Sequence, residues 1–138
     1  MFNYNKFREL LKIGQQAEHE AIKRINKKVV MTQDDTNYKY ILYDFMTEDN
    51  IKYEVKLDLQ STRTKNIFIE FIDGRGLKSG ISTTEADNYI IVSSDIYYLI
   101  NVNTLKEIIK NCKIARVKDG TKGYLLLVDV LIKHSIII

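Results

Sequence analysis

Charged and apolar residues alternate strictly from Ile51 to Asp58, and this alternation constrains the fold more than any other stretch of the chain. The odd positions hold Ile, Tyr, Val and Leu, whereas the even positions hold Lys, Glu, Lys and Asp. A period of two is typical of a strand with one buried face and one polar face. Glu54 and Lys56 are therefore predicted to point to the same side of one strand.

A second strand is predicted just upstream, because Tyr38 to Tyr43 is rich in aromatic and branched residues. Thr47 to Asn50 supplies turn residues between the two runs. If Glu48 to Asn50 form a three-residue loop, Phe45 pairs with Tyr53. The sequence thus predicts an antiparallel hairpin.

The same register would place Asp44 directly across from Glu54. Opposed side chains in an antiparallel pair have Cβ atoms about 5 Å apart, so two carboxylates would face each other. Such like charges destabilise a sheet unless something compensates them, and a hard cation such as Mg²⁺ is the natural compensation. The alternative is a solvated strand face with alternating charges.

The N-terminal segment has the repeat of an amphipathic helix, and one carboxylate lies within its apolar stripe. Glu18 falls four residues after Gly14 and three before Ala21, whereas Glu20 belongs to the polar face. A carboxylate on the core side is costly unless it is paired or binds a metal. The alternative is a residue at the edge of the stripe that bends out to water. The stripe comprises Phe7, Leu10, Leu11, Gly14, Ala17, Ala21, Ile22, Ile25 and Val29.

These features resemble the PD-(D/E)xK nuclease superfamily, and within it the small archaeal-type Holliday-junction resolvases and their phage relatives. The resemblance rests on Gly14 to Glu18 in the helix, on Asp44, and on Glu54 to Lys56 in the strand. The later runs from Asn66 to Glu70 and from Ser79 to Tyr89 are also similar to phage members. One departure is that Tyr43 stands where the motif that names the superfamily has Pro.

The resemblance implies a catalytic set of Glu18, Asp44, Glu54 and Lys56. Asp44 and Glu54 would hold Mg²⁺, with Mn²⁺ as a substitute, helped by the main-chain carbonyl of Val55. Lys56 would position or activate the attacking water, and Glu18 would reach the same site directly or through water. The implied reaction is metal-assisted phosphodiester hydrolysis, which needs no organic cofactor.

The remaining elements fit the fold that the resemblance implies, a restriction-endonuclease-like α/β/α core with a mixed central sheet flanked by helices, in one domain over residues 1–138. Asn66 to Ile72 is predicted to be a strand, reached through a polar loop from Ser61 to Lys65. A short helix is predicted from Ser82 through Asp87, because Ser82 to Glu85 has capping-box spacing. The later part of the chain is predicted to form strands from Tyr89 to Val92 and from Ile96 to Val102, a helix from Thr104 to near Cys112, and two strands joined by a turn from Lys118 to Gly123.

Two features of this stretch remain open at the level of sequence. Glu70 is either a structural residue or one that faces substrate. The loop from Gly74 to Gly80 either allows a sugar-phosphate chain to approach or is a plain connection. It is not a P-loop, because the glycine spacing is wrong and no Gly-Lys-Ser/Thr begins a helix.

Composition excludes several classes of protein. No stretch has the character of a signal peptide or a membrane span, so a cytoplasmic location in a bacterial or archaeal cell, with a phage gene as one source, is expected. The single cysteine, Cys112, excludes an internal disulfide and indicates a reducing setting. His19, His134 and Cys112 lack the spacing of a zinc site.

The net charge of +3 is mild, but basic residues concentrate in two regions. Residues 1–33 hold seven basic and three acidic residues, and the stretch from Arg63 to Lys78 adds four basic against two acidic. Such groups beside a metal site would contact phosphates, although ordinary solvation explains them equally well. The candidate DNA-binding residues are Lys23, Lys27, Arg63, Lys65, Arg75 and Lys78.

The expected function is that of a Mg²⁺-dependent, structure-selective DNA endonuclease of the junction-resolving type. Symmetric cleavage of a junction needs two active sites, so a twofold homodimer is expected, with the apolar tail Ile136 to Ile138 as a candidate interface. Two alternatives stay open: a nicking, repair or duplex-cutting nuclease of the same superfamily, and a catalytically inactive module that binds nucleic acid or protein.

Overall fold

The centre of the molecule is a mixed six-stranded sheet, in a computed structural model that describes residues 3–33 and 42–138. Four helices accompany it: α1 (Tyr4–Ile25), α2 (Ser61–Thr64), α3 (Val102–Ile109) and α4 (Val128–His134). The strands are β1 (Val29–Thr32), β2 (Phe45–Thr47), β3 (Lys52–Leu57), β4 (Asn66–Ile72), β5 (Asn88–Ser93), β6 (Ile96–Asn101), β7 (Lys113–Arg116), β8 (Lys122–Leu127) and β9 (Ile136–Ile137).

The strands form two sheets. The larger has the order β1-β2-β3-β5-β6-β9, in which β3 and β5 run parallel and the other neighbours are antiparallel. The smaller has the order β4-β8-β7 and is antiparallel throughout. The mixed α/β class and the mixed central sheet predicted from the sequence are therefore confirmed.

Strand β5 lies in the middle of the molecule and is buried on both faces. Tyr89 and Ile91 belong to a core shared with β4, β8, α3 and α4, whereas Ile90 and Val92 belong to a core shared with α1. Alternating side chains point to opposite faces, so one strand supplies both cores. The result is three layers: α1, the large sheet, and the small sheet with α3 and α4.

Helix α1 confirms the predicted amphipathic helix, but only its second half packs against the sheet. Ala17 and Ala21 are 5% and 0% exposed, and their small side chains let the helix approach closely. Phe7, Leu10 and Leu11, predicted to be buried in the stripe, are instead 49%, 45% and 54% exposed. The buried stripe is thus shorter than the apolar repeat: among the described residues, Ala17, Ala21, Ile22 and Ile25 of α1 belong to the core.

The helix also ends earlier than the stripe predicted. Asn26 adopts a left-handed conformation with φ of 54°, and its N–H donates to the carbonyl of Ile22. Asn tolerates this conformation at a helix end better than most residues. Val29, assigned to the stripe, therefore begins β1 instead.

Most of the later elements are confirmed. β4 has the predicted bounds, and β5 and β6 agree with their predictions to within one residue. The two last predicted strands form as β7 and β8, but β8 begins at Lys122, inside the predicted turn. α3 also forms, two residues earlier than predicted, because the side chain of Asn101 accepts hydrogen bonds from the N–H groups of Asn103 and Thr104.

Four local predictions are wrong or only partly described. The segment from Ser61 to Lys65 contains the one-turn helix α2, where Asp58 Oδ1 accepts from the N–H of Ser61 at 2.8 Å. The helix predicted from Ser82 is absent, since a 3-10 turn (Gly80–Ser82) ends there. α4 lies in a segment read as strand. Of the strand predicted from Tyr38 to Tyr43, residues 38–41 lie outside the described residues, and Leu42 and Tyr43 are not in a strand.

Among the described residues, no helix combines the length and the apolar character needed to cross a bilayer.

Candidate functional site

The hairpin of β2 and β3 has the predicted register at its centre. Phe45 pairs with Tyr53, and their rings stack with centroids 4.8 Å apart. At the turn, the N–H of Thr47 donates to the carbonyl of Ile51 at 3.0 Å. A stacked pair of this kind contributes about 1 kcal/mol beyond the apolar area it buries. The hairpin is thereby fixed against α1, through the core that includes both rings.

Asp44 departs from the predicted register. The ladder of β2 and β3 stops at Phe45, and the N–H of Asp44 donates to Tyr53 O at 2.8 Å. Asp44 and Phe45 therefore both lie opposite Tyr53, which is the arrangement of a β-bulge. Asp44 does not lie directly across from Glu54, as the predicted register required. Its own carbonyl accepts from the N–H of Gln33 at 2.9 Å, which ties it to the end of β1.

The Asp44 side chain nevertheless reaches β3. Its Oδ2 accepts a hydrogen bond of 2.7 Å from the N–H of Val55, the residue that follows Glu54. A bond from a backbone N–H to a carboxylate is charge-assisted and stronger than a neutral one. The carboxylate of Asp44 is thus held beside the Glu-x-Lys segment by a main-chain group.

Glu54 and Lys56 lie on the same face of β3, as their spacing predicts. Lys56 Nζ is 3.3 Å from Glu54 Oε1, and the two side chains are 46% and 18% exposed. Burial raises the pKa of Glu54 to about 7, the charge of Asp44 adds to this rise, and Lys56 opposes it. Loss of hydration and a like charge both disfavour the ionised form of a carboxyl group.

Glu18 lines the same cavity as the other three predicted catalytic residues. This cavity has a volume of about 280 Å³ and its wall includes Glu18, Asp44, Glu54 and Lys56. Two adjoining cavities of about 190 and 130 Å³ share Lys56 with it. We refer to these three cavities, which share lining residues, as the carboxylate hollow. The structure therefore brings Glu18, Asp44, Glu54 and Lys56 around one hollow.

The main-chain carbonyl of Val55 points toward the edge of β3 that faces Asp44. The N–H of Val55 points at Asp44, and the N–H and C=O groups of one strand residue point to the same edge. Val55 also lines the hollow. It is therefore placed where an oxygen ligand beside the two carboxylates would be needed.

The hollow offers few protein ligands, so it fits an ion such as Mg²⁺ that keeps most of its waters, and not an ion that protein side chains surround completely. Among the described residues, no group of three or more His, Cys, Asp or Glu side chains is clustered tightly enough to hold a metal ion. Mg²⁺ usually keeps several waters and binds through one or two carboxylates. Asp44, Glu54 and the Val55 carbonyl match that donor set, and Glu18 would take part through water.

Sequence reasoning missed other groups that surround the hollow. Tyr89, next to Glu54 in the parallel pairing of β3 and β5, is 2% exposed, and burial followed by the charge of Glu54 raises its pKa. Its hydroxyl thus stays protonated beside Glu54. Gln33 and Thr84 line the hollow as well. Only the sheet order places these residues together, so no local pattern identifies them.

Glu70 and Gly80 form another wall of the hollow. Both line the cavity of about 130 Å³ together with Lys56 and Tyr89. Gly80 has φ of +53°, and a Cβ at this position would collide with the main-chain oxygen of Glu70. Glycine is therefore required here for both conformation and space. Glu70, left open by the sequence, borders the site.

The six candidate DNA-binding residues lie outside the walls of the hollow among the described residues. Lys27 pairs with Asp49 at 2.8 Å, and Arg75 pairs with Asp73 at 2.8 Å. Both pairs are exposed in part, where ion pairs contribute little to stability. The remaining four, Lys23, Arg63, Lys65 and Lys78, are exposed. All six could contact DNA only beyond the hollow itself.

A larger cavity of about 700 Å³ lies between α3, α4 and the small sheet. Its lining includes Cys112 and His134 but no carboxylate. Burial raises the pKa of the Cys112 thiol, which disfavours a reactive thiolate. We therefore place the candidate active site at the carboxylate hollow despite its smaller volume.

No match to this chain is found among family models, curated proteins or solved structures. The candidate site is therefore assigned only from the residues and geometry of this chain.

The raised pKa of Glu54 predicts how stability changes with pH. The folded state holds this proton more tightly than the unfolded chain, so wild-type stability should fall as pH rises from about 4.5 to about 7. Glu54→Gln cannot ionise. Relative to wild type, it should therefore gain on the order of 2 kcal/mol in free energy of unfolding between about pH 5 and about pH 8.

Urea denaturation at the two pH values measures this gain. Glu85→Gln, at an exposed position, is the matched control and should follow the wild type. A difference between Glu54→Gln and wild type that is equal at both pH values would contradict a buried, charge-strained Glu54.

Proposed function

We propose that the protein is a metal-dependent, structure-selective DNA endonuclease, most similar in action to the Holliday-junction resolvases of the PD-(D/E)xK superfamily. One observation carries this proposal: Asp44, Glu54 and Lys56 meet in one hollow, where burial and the charge of Asp44 raise the pKa of Glu54 to about 7. Two carboxylates that disfavour each other's charge are a natural place for a divalent cation.

The topology supports a restriction-endonuclease-like core. The Glu-x-Lys strand β3 follows a helix that carries Glu18 and forms a hairpin with the segment that carries Asp44. It then pairs in parallel with β5, so that the sheet is mixed at this point. This order of helix, hairpin and parallel strand agrees with the core that the sequence resemblance implies.

Each side chain has a distinct task in the proposed reaction. Asp44 and Glu54, with the Val55 carbonyl, would hold the cation, which when bound would polarise the phosphoryl oxygen and lower the pKa of water. Lys56, whose ammonium lies 3.3 Å from Glu54, orients the attacking water and stabilises the negative charge that develops on the phosphate. Tyr89 keeps its proton and lies beside Glu54, where it limits the access of solvent.

Cleavage assays test the proposal. A labelled four-way junction, a flap and a plain duplex of matched sequence are incubated with the protein and Mg²⁺, and in parallel with EDTA. We expect cleavage of the junction in Mg²⁺ alone, and little cleavage of the duplex. Asp44→Asn and Glu54→Gln should each lower the rate by at least about a hundredfold, since each removes a charged ligand of the cation.

Binding of the same junction, measured by fluorescence anisotropy, should change less than about threefold in these variants, because phosphate contacts come mainly from other residues. Lys118→Ala, at an exposed position that lines none of the three cavities of the hollow, is the control and should cleave like wild type. If Asp44→Asn and Glu54→Gln lose junction binding as much as they lose cleavage, the proposed role of these two carboxylates as metal ligands is contradicted. Binding without any cleavage by wild type would favour the inactive module, and equal cleavage of duplex and junction would favour a less selective nuclease.

We further propose that the active form is a twofold homodimer, since a junction cut symmetrically needs two sites. β9 lies at the edge of the large sheet, and Ile136 and Ile137 are 67% and 61% exposed. An exposed strand edge with apolar side chains favours pairing with another chain.

Sedimentation velocity tests this assembly. Wild type should sediment as a dimer, and the double variant Ile136→Ser with Ile137→Ser should sediment as a monomer. Ile114→Ser, at a position 60% exposed on β7, is the control and should remain dimeric. A monomeric wild type at concentrations where it cleaves junctions would overturn the dimer.

A further inference from the structure

Gly14 lies in the middle of the 22-residue helix α1, where glycine is costly. Among the described residues, neither space nor conformation requires it. No atom of another described residue lies within 4 Å of the position that a Cβ on Gly14 would occupy, apart from the chain neighbours and the backbone of the helix itself. Its φ lies outside the left-handed region. The helix thus has an open notch that the fold alone does not explain.

The notch opens into the carboxylate hollow. Gly14 lines the same cavity of about 280 Å³ as Glu54 and Lys56, and Glu18 follows it by one turn on the same face of α1. An alanine methyl group here would meet no described neighbour and would add bulk to the wall of this cavity. The missing side chain therefore widens the approach to the candidate active site.

The helix beside the notch offers both apolar and cationic groups. Leu10 and Leu11 are 45% and 54% exposed and line the hollow. Arg8 and Lys12 line an adjoining groove of about 550 Å³ on the same helix, together with Glu9, Leu11 and Gln15, so its charged lining is cationic by two groups to one. A DNA strand presents anionic phosphates alternating with deoxyribose rings, which have a largely apolar face. This helix surface complements both.

We propose that one sugar-phosphate strand of the substrate crosses α1 at Gly14, with its backbone close to the helix backbone, and enters the hollow there. Phosphates on one side of the crossing contact Arg8 and Lys12, and a deoxyribose packs on Leu10 and Leu11. Gly14 is then a residue that determines access and orientation, not a catalytic one. The inference rests on the proposed nuclease function, because it names the path by which that substrate reaches the site.

Two substitutions at Gly14 separate an effect on stability from an effect on the path of the substrate. Gly14→Ala should raise the melting temperature by about 2–5 °C, because alanine is the better helix former and meets no neighbour. It should also lower junction cleavage by about tenfold, since a displacement of the strand by a fraction of an ångström misplaces the scissile phosphate. Gly14→Leu should lower cleavage further and weaken junction binding in EDTA by about threefold or more, without a fall in melting temperature.

Gln16→Ala is the matched control. Gln16 lies on the same helix, is exposed, and is not part of the wall of the hollow. Its substitution should leave cleavage and binding unchanged and affect the melting temperature by less than Gly14→Ala does.

The outcomes distinguish this inference from the proposed function. If wild type cleaves and Gly14→Leu cleaves and binds equally well, the inference is overturned and the nuclease function stands. If wild type does not cleave but binds junction DNA, the nuclease function fails, and weaker binding by Gly14→Leu would still support the crossing at Gly14. Unchanged binding in that case, or no DNA binding by wild type, would overturn it.

Discussion

The candidate site depends on the hydrogen bond from the N–H of Val55 to the carboxylate of Asp44. This bond replaces the strand pairing that stops at Phe45, and it holds a negative charge against the backbone of β3. Glu54 precedes Val55 and is mostly buried, so it cannot ionise freely beside that charge. Burial, together with the charge of Asp44, raises the pKa of Glu54 to about 7. Both carboxylates are partly buried, so a nearby cation is favourable, and the Lys56 ammonium lies 3.3 Å from Glu54.

The rest of the fold surrounds this contact. β1 holds Asp44 from one side through Gln33, β5 places Tyr89 beside Glu54, and Gly80 allows the chain that carries it to pass close to Glu70. α1 packs on the opposite face of the sheet through Ala17 and Ala21, yet its middle turns border the hollow. The site is thus assembled from segments far apart in sequence, and its charged groups are positioned mainly by backbone hydrogen bonds.

The parts of this arrangement that depend on local pattern could be predicted. The period of two placed Glu54 and Lys56 on one face, and the length of the turn gave the pairing of Phe45 with Tyr53. The helical repeat located Glu18 on the side of α1 that borders the hollow. These predictions succeed because the period of a strand or a helix determines which side chains share a face.

The parts that depend on long-range pairing could not be predicted. The bulge at Asp44 is accompanied by a hydrogen bond between its carbonyl and the N–H of Gln33. β1 was not predicted, since its first residue, Val29, was assigned to the helix. Tyr89 became a neighbour of Glu54 only through the parallel pairing of β3 with β5. α4 was read as strand because Val128, Val130 and Ile132 are β-branched, but burial of Leu131 against the core favours a helix there.

The most direct test of a cation site at Asp44 and Glu54 is X-ray diffraction from crystals soaked in Mn²⁺, with anomalous data collected near the manganese edge. We expect an anomalous peak between the carboxylates of Asp44 and Glu54, close to the Val55 carbonyl, and no such peak in crystals of Glu54→Gln. Data without a peak at this position, or a peak that persists unchanged in Glu54→Gln, would contradict a cation site there.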